Sequence, residues 1–230
     1  MHWMNTMAIL VIAAMAAAPS MAARSVIVDP QFAYYTERSA QSVVDELVAN
    51  GIGDVRLAAV DESTISDELV NALRDAGVAV WMLTFANGTY STKDFPEGWE
   101  AWKMKVRKSV GFNYLCLNDA GYREWKKNAL TRALTAHRFS GVDLAEAFLP
   151  AYNGPESDAY GCLCDDCAAE FRRMYSQDPP EFVNPDSANY WTKNSTLYEK
   201  WVGFRVSTVV NFLDELVNGK GGIREKCPGV

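Results

Sequence analysis

From residue 24 onward the apolar positions follow two alternating periods. Short runs that are apolar at most positions predict strands at Ser25–Asp29, Asp54–Val60, Val78–Phe85 and Phe139–Glu146. The third run is apolar almost throughout, which is how a strand covered on both faces reads. Between these runs lie segments with helical spacing. Val43, Val44, Leu47 and Val48 form a stripe in Ser39–Asn50, ended by Gly51. Ile65, Leu69, Val70 and Leu73 do the same in Ser63–Ala76, stopped by Gly77, and Trp125, Ala129, Leu130, Ala133 and Leu134 in Ala120–His137. A short helix is expected at Cys167–Tyr175 and a long helical region at Asn189–Asn218, with Trp201, Phe204, Val209, Phe212, Leu213 and Leu216 facing inward. The resulting βαβαβ rhythm predicts a parallel α/β sheet. Residues 86–119 read as a long connection with Phe95, Trp99 and Trp102 and a basic patch at Lys103, Lys105, Arg107 and Lys108, which reads as a solvated face. Residues 177–186 are Pro-rich and irregular, and Cys227 to Val230 reads as the lead-in to a fifth strand.

The N-terminus belongs to none of this. Met7 to Ala18 is an apolar run too short to cross a bilayer, and small residues at Ser20, Ala22 and Ala23 suit a signal peptidase, although no Lys or Arg precedes the run. Residues 1–23 are therefore expected to be a signal peptide, and the mature chain secreted or periplasmic. No other stretch is apolar enough to span a membrane. An eight-stranded barrel takes roughly 250 residues, so residues 24–230 with four strands are expected to supply about the first four β/α units of a (β/α)8 TIM-type barrel. The rival is a complete small open sheet, whose strand edges would be exposed. The chain of 230 residues carries a net charge of −7, which argues against a nucleic-acid partner.

Barrels of this type keep their chemistry at the C-terminal ends of the strands. Glu146, at the end of the fourth strand, is the first candidate for a catalytic carboxylate. Strand parity complicates the choice: if Asp143 and Ala145 face inward, Glu146 faces outward unless the strand ends or bulges at Ala145. Asp143 is thus the second candidate, with a structural alternative in which it bonds Arg56 or nearby backbone. Asp29, Tyr35, Trp81, Asn87 and Tyr152 stand on or near predicted strand ends and are candidates to line a cleft. Asp29 has a competing role in capping the turn before Pro30. The two histidines, His2 and His137, lie in the leader and at a helix end, so a histidine-based triad or catalytic metal has no support. No phosphate-binding or dinucleotide fingerprint stands after any strand.

Five cysteines are present, and Cys162, Cys164 and Cys167 form C-x-C-x2-C. With Cys116 they make a set of four suited to a structural zinc ion. Disulfides are the alternative in an exported protein, although neighbours this close make poorly shaped ones; free thiols are a third. Cys227 reads as an ordinary buried thiol.

Cys-Leu-Asn-Asp-Ala-Gly-Tyr-Arg at Cys116–Arg123, a strand ending in Glu146, the C-x-C-x2-C loop and the helix Cys167–Tyr175 together resemble glycoside hydrolase family 42, the barrel β-galactosidases, and a broader group of glycosyl-hydrolase-like chains. The likeness is carried by residues 112–176, and by architecture alone before them. It implies an acid/base role for Glu146, one zinc on Cys116, Cys162, Cys164 and Cys167, and a carbohydrate substrate. The family places Asn before the glutamate, where this chain has Ala145, so the contact of that Asn with a sugar 2-hydroxyl has no counterpart. The Arg the family carries before its first cysteine is absent, with Phe112 and Asn113 near that position, and the loop from Glu146 to Cys162 is longer. The family's nucleophile stands on the seventh strand, beyond Val230. Three functions stand as expectations: an exported glycoside hydrolase present as its N-terminal half, a non-catalytic or degenerate carbohydrate-binding barrel, or a small zinc-stapled interaction domain.

Overall fold

The structure, a computed structural model, describes residues 24–108 and 111–230. The expected signal peptide lies outside the described residues. The elements in order are β1 (Arg24–Val28), α1 (Ala33–Thr36), α2 (Ala40–Ala49), β2 (Ile52–Ala58), α3 (Asp67–Asp75), β3 (Ala79–Phe85), β4 (Gly88–Thr89), β5 (Asn113–Tyr114), α4 (Ala120–Ala136), β6 (Gly141–Ala145), α5 (Asp165–Tyr175), α6 (Ser195–Asn218) and α7 (Ile223–Lys226). Four strands form one parallel sheet in the order β1-β2-β3-β6. The tiny β4 and β5 pair antiparallel within the connection after β3.

Alternation along the strands sorts the side chains onto two unlike faces. Val28, Val55, Leu57, Val80 and Met82 are buried with Val43, Val44, Leu69, Val70, Leu73, Leu130 and Leu134 of the helices in one hydrophobic core. The opposite face carries Ile27, Asp54, Arg56, Trp81 and Asp143, and there Ile27 is 62% exposed. Arg56 organises this face. Its guanidinium pairs with Asp54 and, at 3.3 Å, with Asp143, and it lies 4.6 Å over the Trp81 ring. Burial pushes the Asp54 carboxyl up, but hydrogen bonds from Arg56 and Ser25 outweigh it and hold the group below its usual value. The Trp81 ring in turn lies across the backbone of Gly141, where a Cβ would come within 2.4 Å of it.

Helix boundaries are set by the capping residues. Ser39, Asp119 and Asn194 accept backbone N–H groups of Ser42, Tyr122 and Leu197 at 3.2, 2.7 and 3.1 Å. Gly51 and Gly77 take the left-handed conformation (φ 69° and 82°) that ends the preceding helices. Three expected elements change. The second helix begins at Asp67 because Ser66 caps it, and Glu62–Thr64 forms a separate 3-10 turn. The last long helix begins at Ser195 rather than near Asn189, because Asn194 is its cap. Cys227 to Val230 forms no strand; Cys227 is buried, its sulfur 3.6 Å from Thr135 Oγ1.

The segment between β6 and α5 contains no strand and only one 3-10 turn, and α6 holds it down. The buried Arg205 donates to the carbonyls of Gly161, of Leu149 at 2.7 Å and of Pro150 at 3.0 Å, and lies 4.6 Å over the Tyr160 ring. The Trp201 indole N–H donates to Tyr160 Oη at 2.9 Å. Charge-assisted bonds to buried carbonyls are worth about 1.5–3 kcal/mol each, and orphaned acceptors cost about as much. Arg205→Ala should therefore lower the unfolding free energy by at least about 3 kcal/mol in urea titration, with Arg205→Lys recovering part of it. A loss below about 1 kcal/mol would show that this loop does not depend on the arginine.

Candidate functional site

β6 stops at Ala145, whose carbonyl accepts the Ala86 N–H at 2.7 Å. Glu146 comes next, in the left-handed region at φ 55°. This conformation is uncommon for a residue with a Cβ and costs roughly 1 kcal/mol or more. It turns the chain off the strand, so the parity that sends Asp143 to one face no longer governs Glu146, and the glutamate is exposed at the C-terminal end of the sheet.

Asn87 holds the backbone just beyond Glu146. The Phe148 N–H donates to Asn87 Oδ1 at 3.1 Å, and Asn87 Nδ2 donates to the Phe148 carbonyl at 2.8 Å. The Asn87 carbonyl accepts the Leu115 N–H at 2.8 Å. Asn87 is 0% exposed. Both ends of its amide are bonded to backbone, so it positions the Glu146 segment from behind. Tyr152, by contrast, is 66% exposed, and its hydroxyl lies 3.1 Å from that of Tyr114. Burial, the bond to Tyr152 and the nearby Glu146 charge all push the Tyr114 phenol above its usual pKa.

The other expected site residues stand elsewhere. Asp143 is on the open sheet face, 47% exposed and paired with Arg56, so its contact is the structural alternative. Trp81 pairs with Gly141 in register, four residues before the end of β3, which at the rise of a strand is about 13 Å from the tip. It packs on Arg56 and belongs to the open sheet face rather than to the tip beside Glu146. Asp29 Oδ1 accepts the Gln31 N–H at 3.0 Å, closing the turn after β1. Tyr35 packs against the core, edge-on to Tyr34 at 5.1 Å. Of the predicted set, Glu146 and Tyr152 come together; Asp29, Tyr35, Trp81 and Asp143 do not join them. Sequence reasoning missed Tyr114 and Phe148, and the signal available was the alternation Phe112-Asn113-Tyr114 in an otherwise irregular connection. The basic patch is partly structural: Arg107 donates to the Pro155 carbonyl at 2.7 Å, and Lys108 pairs with Asp158 at 2.8 Å.

Behind this loop the four predicted cysteines converge. The sulfurs of Cys116, Cys162, Cys164 and Cys167 all lie within 4.8 Å of one another, with Cys116 Sγ 3.4 Å from Cys164 Sγ and 3.6 Å from Cys167 Sγ. All five cysteines are free thiols in the structure, and the four clustered sulfurs stand as a group of four rather than as two bonded pairs. A tetrahedral ion with metal–sulfur bonds near 2.3 Å would set the sulfurs about 3.8 Å apart, which the cluster matches. Cys164 caps α5, its sulfur facing the Cys167 N–H at 3.5 Å, and Asn118 Nδ2 donates to Cys167 Sγ at 3.3 Å. Hydrogen bonds from the other three thiols pull Cys164 far below its usual pKa, while bonding to its neighbours and burial push Cys116 up. The cluster can hold a metal ion and, with four protein thiolates, leaves no position for substrate.

No protein-family profile and no curated protein matches the sequence. Solved structures do. An α-L-fucosidase (isoenzyme 2) from Paenibacillus thiaminolyticus superposes with a TM-score of 0.51 at 12% identity, over 86% of this chain and 31% of that one. The β-galactosidase of the psychrophilic Marinomonas ef1 gives a TM-score of 0.50 at 15% identity, over 85% of this chain and 36% of that one. The fold is part of a TIM-type (β/α) barrel. At these identities the likeness concerns the fold, and the chain spans about a third of the length of the proteins it matches.

Purified protein is expected to carry one equivalent of a thiophilic divalent ion by elemental analysis, and Cys164→Ser to lose it together with thermal stability. Four freely titrating thiols in metal-free protein of unchanged melting temperature would contradict a metal centre.

Proposed function

We propose that this chain is the first half of an exported (β/α)8 glycoside hydrolase, related to family 42 and the wider group of similar chains, that cleaves O-glycosidic bonds of a carbohydrate. The observation that carries the reading is the position of Glu146: an exposed carboxylate directly past the end of a parallel strand, on backbone clamped by Asn87, beside the Tyr114–Tyr152 hydroxyl pair. Glycoside hydrolysis uses two carboxylates across the scissile bond. Glu146 is the acid/base: it protonates the leaving oxygen and then deprotonates water or an acceptor hydroxyl. The second carboxylate belongs to a later strand, beyond Val230. The metal on Cys116, Cys162, Cys164 and Cys167 is zinc, because a closed four-thiolate shell suits a structural zinc site, and its task is to pin the loop between Glu146 and α5. Asp143 stays with Arg56 as part of the barrel lining. Nucleic acid has no part in this function, and no helix among the described residues is long and apolar enough to cross a membrane.

The test is Glu146→Gln in the complete protein. General acid–base residues contribute about 10²–10⁴-fold, so kcat on aryl glycosides with poor leaving groups should fall by that factor while substrates with good leaving groups lose less. Equal turnover by the variant and the parent would refute the assignment. A second reading, a carbohydrate-binding barrel without turnover, draws on Ala145, which supplies no side-chain donor beside Glu146. Oligosaccharide binding with no hydrolysis across a broad glycoside panel would favour it.

A further inference from the structure

The rings around Glu146 form a continuous strip. Phe85, the last residue of β3, meets Tyr90 at 5.5 Å between centroids. Tyr90 meets Phe112 at 4.7 Å, Phe112 meets Tyr114 at 4.8 Å, Tyr114 meets Phe148 at 5.7 Å and Phe148 meets Tyr152 at 5.9 Å, all edge to face. The strip thus runs from the antiparallel β4–β5 pair to the loop after β6 and passes Glu146, which lies two residues before Phe148. From Phe85, which anchors it to β3, the strip runs out to two open rings: Tyr90 is 76% exposed and Tyr152 66%. An isolated exposed aromatic needs no explanation, but a row of rings with wet ends is the anatomy of a contact surface. The β4–β5 pair is shaped for it. A Cβ at Gly88 would come within 2.4 Å of the Phe112 ring, so the glycine is what lets that ring settle on the backbone.

Resting on the glycosidase reading of Glu146, we propose that this strip is a stacking platform for an extended, uncharged oligosaccharide that runs past the glutamate, so that the protein prefers chains of several sugars to a single glycoside. Three features point to this ligand. The strip carries no cation, and Glu146 beside it is an exposed carboxylate, which disfavours phosphorylated or acidic ligands. Tyr90, Tyr114 and Tyr152 alternate with Phe112 and Phe148, so hydroxyl groups recur along an apolar surface, matching the apolar faces and hydroxyl rims of pyranose rings. The two exposed rings, Tyr90 and Tyr152, are joined through Phe112, Tyr114 and Phe148 in centroid steps of 4.7–5.9 Å, a contour of several sugar lengths.

The experiment is calorimetric binding of β-1,4-linked hexaoses of glucose, xylose and galactose, with the matching monosaccharides and a proline-rich decapeptide as comparisons. It uses the complete protein carrying Glu146→Gln to suppress turnover. At least one hexaose should bind tenfold or more tightly than its monosaccharide. Tyr90→Ala and Tyr152→Ala should each weaken it about tenfold without lowering the melting temperature, and Gly88→Ala should weaken it by displacing Phe112. Hexaose binding unaffected by Tyr90→Ala and Tyr152→Ala, or a preference for the decapeptide, would overturn the proposal. A protein that hydrolyses aryl glycosides through Glu146 but binds hexaoses no better than monosaccharides overturns the platform alone. Hexaose binding that needs Tyr90 and Tyr152, in a protein whose turnover ignores Glu146→Gln, upholds the platform and overturns the catalytic reading.

Discussion

A parallel sheet is stable when both faces are covered, and in this chain helices cover one. The remaining face presents an exposed Ile27 beside the Asp54–Arg56–Asp143 cluster with Trp81 laid on it. A lone guanidinium or carboxylate would be costly in a barrel interior, whereas an ion-paired and ring-stacked arginine tolerates one. The face is therefore built to be enclosed, and its polar cluster has its partners already. The two (β/α)-barrel structures that superpose on this chain share its sheet arrangement.

At the top of the sheet the demand is different. Glu146 leaves the strand through a left-handed residue, and the segment from Ala147 to Cys164 has little regular secondary structure to support it. Three devices supply the missing order. Asn87 bonds the Phe148 peptide on both sides, Arg205 gathers three carbonyls from Leu149 to Gly161, and the cysteine cluster ties the end of the loop to Cys116. Each fixes backbone with a buried polar side chain or a cluster of thiols able to hold a metal ion, and together they hold an exposed carboxylate in one place. The aromatic strip then lies on backbone that these contacts have already immobilised.

The strands and helices were legible because their apolar periods are clean, the place of Glu146 because it closes one of those runs, and Cys162, Cys164 and Cys167 because C-x-C-x2-C is a local pattern; Cys116 is remote in sequence and joined them through the family resemblance. What escaped is non-local. Nothing in the neighbourhood of Asn87 says that its amide will meet Phe148, and Arg205 reads as one polar residue in an amphipathic helix until its carbonyl partners are seen. Parity alone could not say where Asp143 and Glu146 stand relative to one another; a single backbone angle at residue 146 turns Glu146 off the strand, while Asp143 stays on the sheet face with Arg56. Tyr90, Phe112 and Tyr114 were obscured because β4 and β5 have two residues each, too short for a period to register. Trp81 lies four residues short of the β3 tip, a depth that an apolar run alone does not reveal.

The most direct test of this account is the intact mass and reading frame of the protein recovered from its native source. The account predicts a chain that continues past Val230 through further β/α units, covers the Arg56 face and brings a second carboxylate toward Glu146. A mature protein ending at Val230 and remaining monomeric, with Arg56 and Trp81 open to solvent, would contradict it.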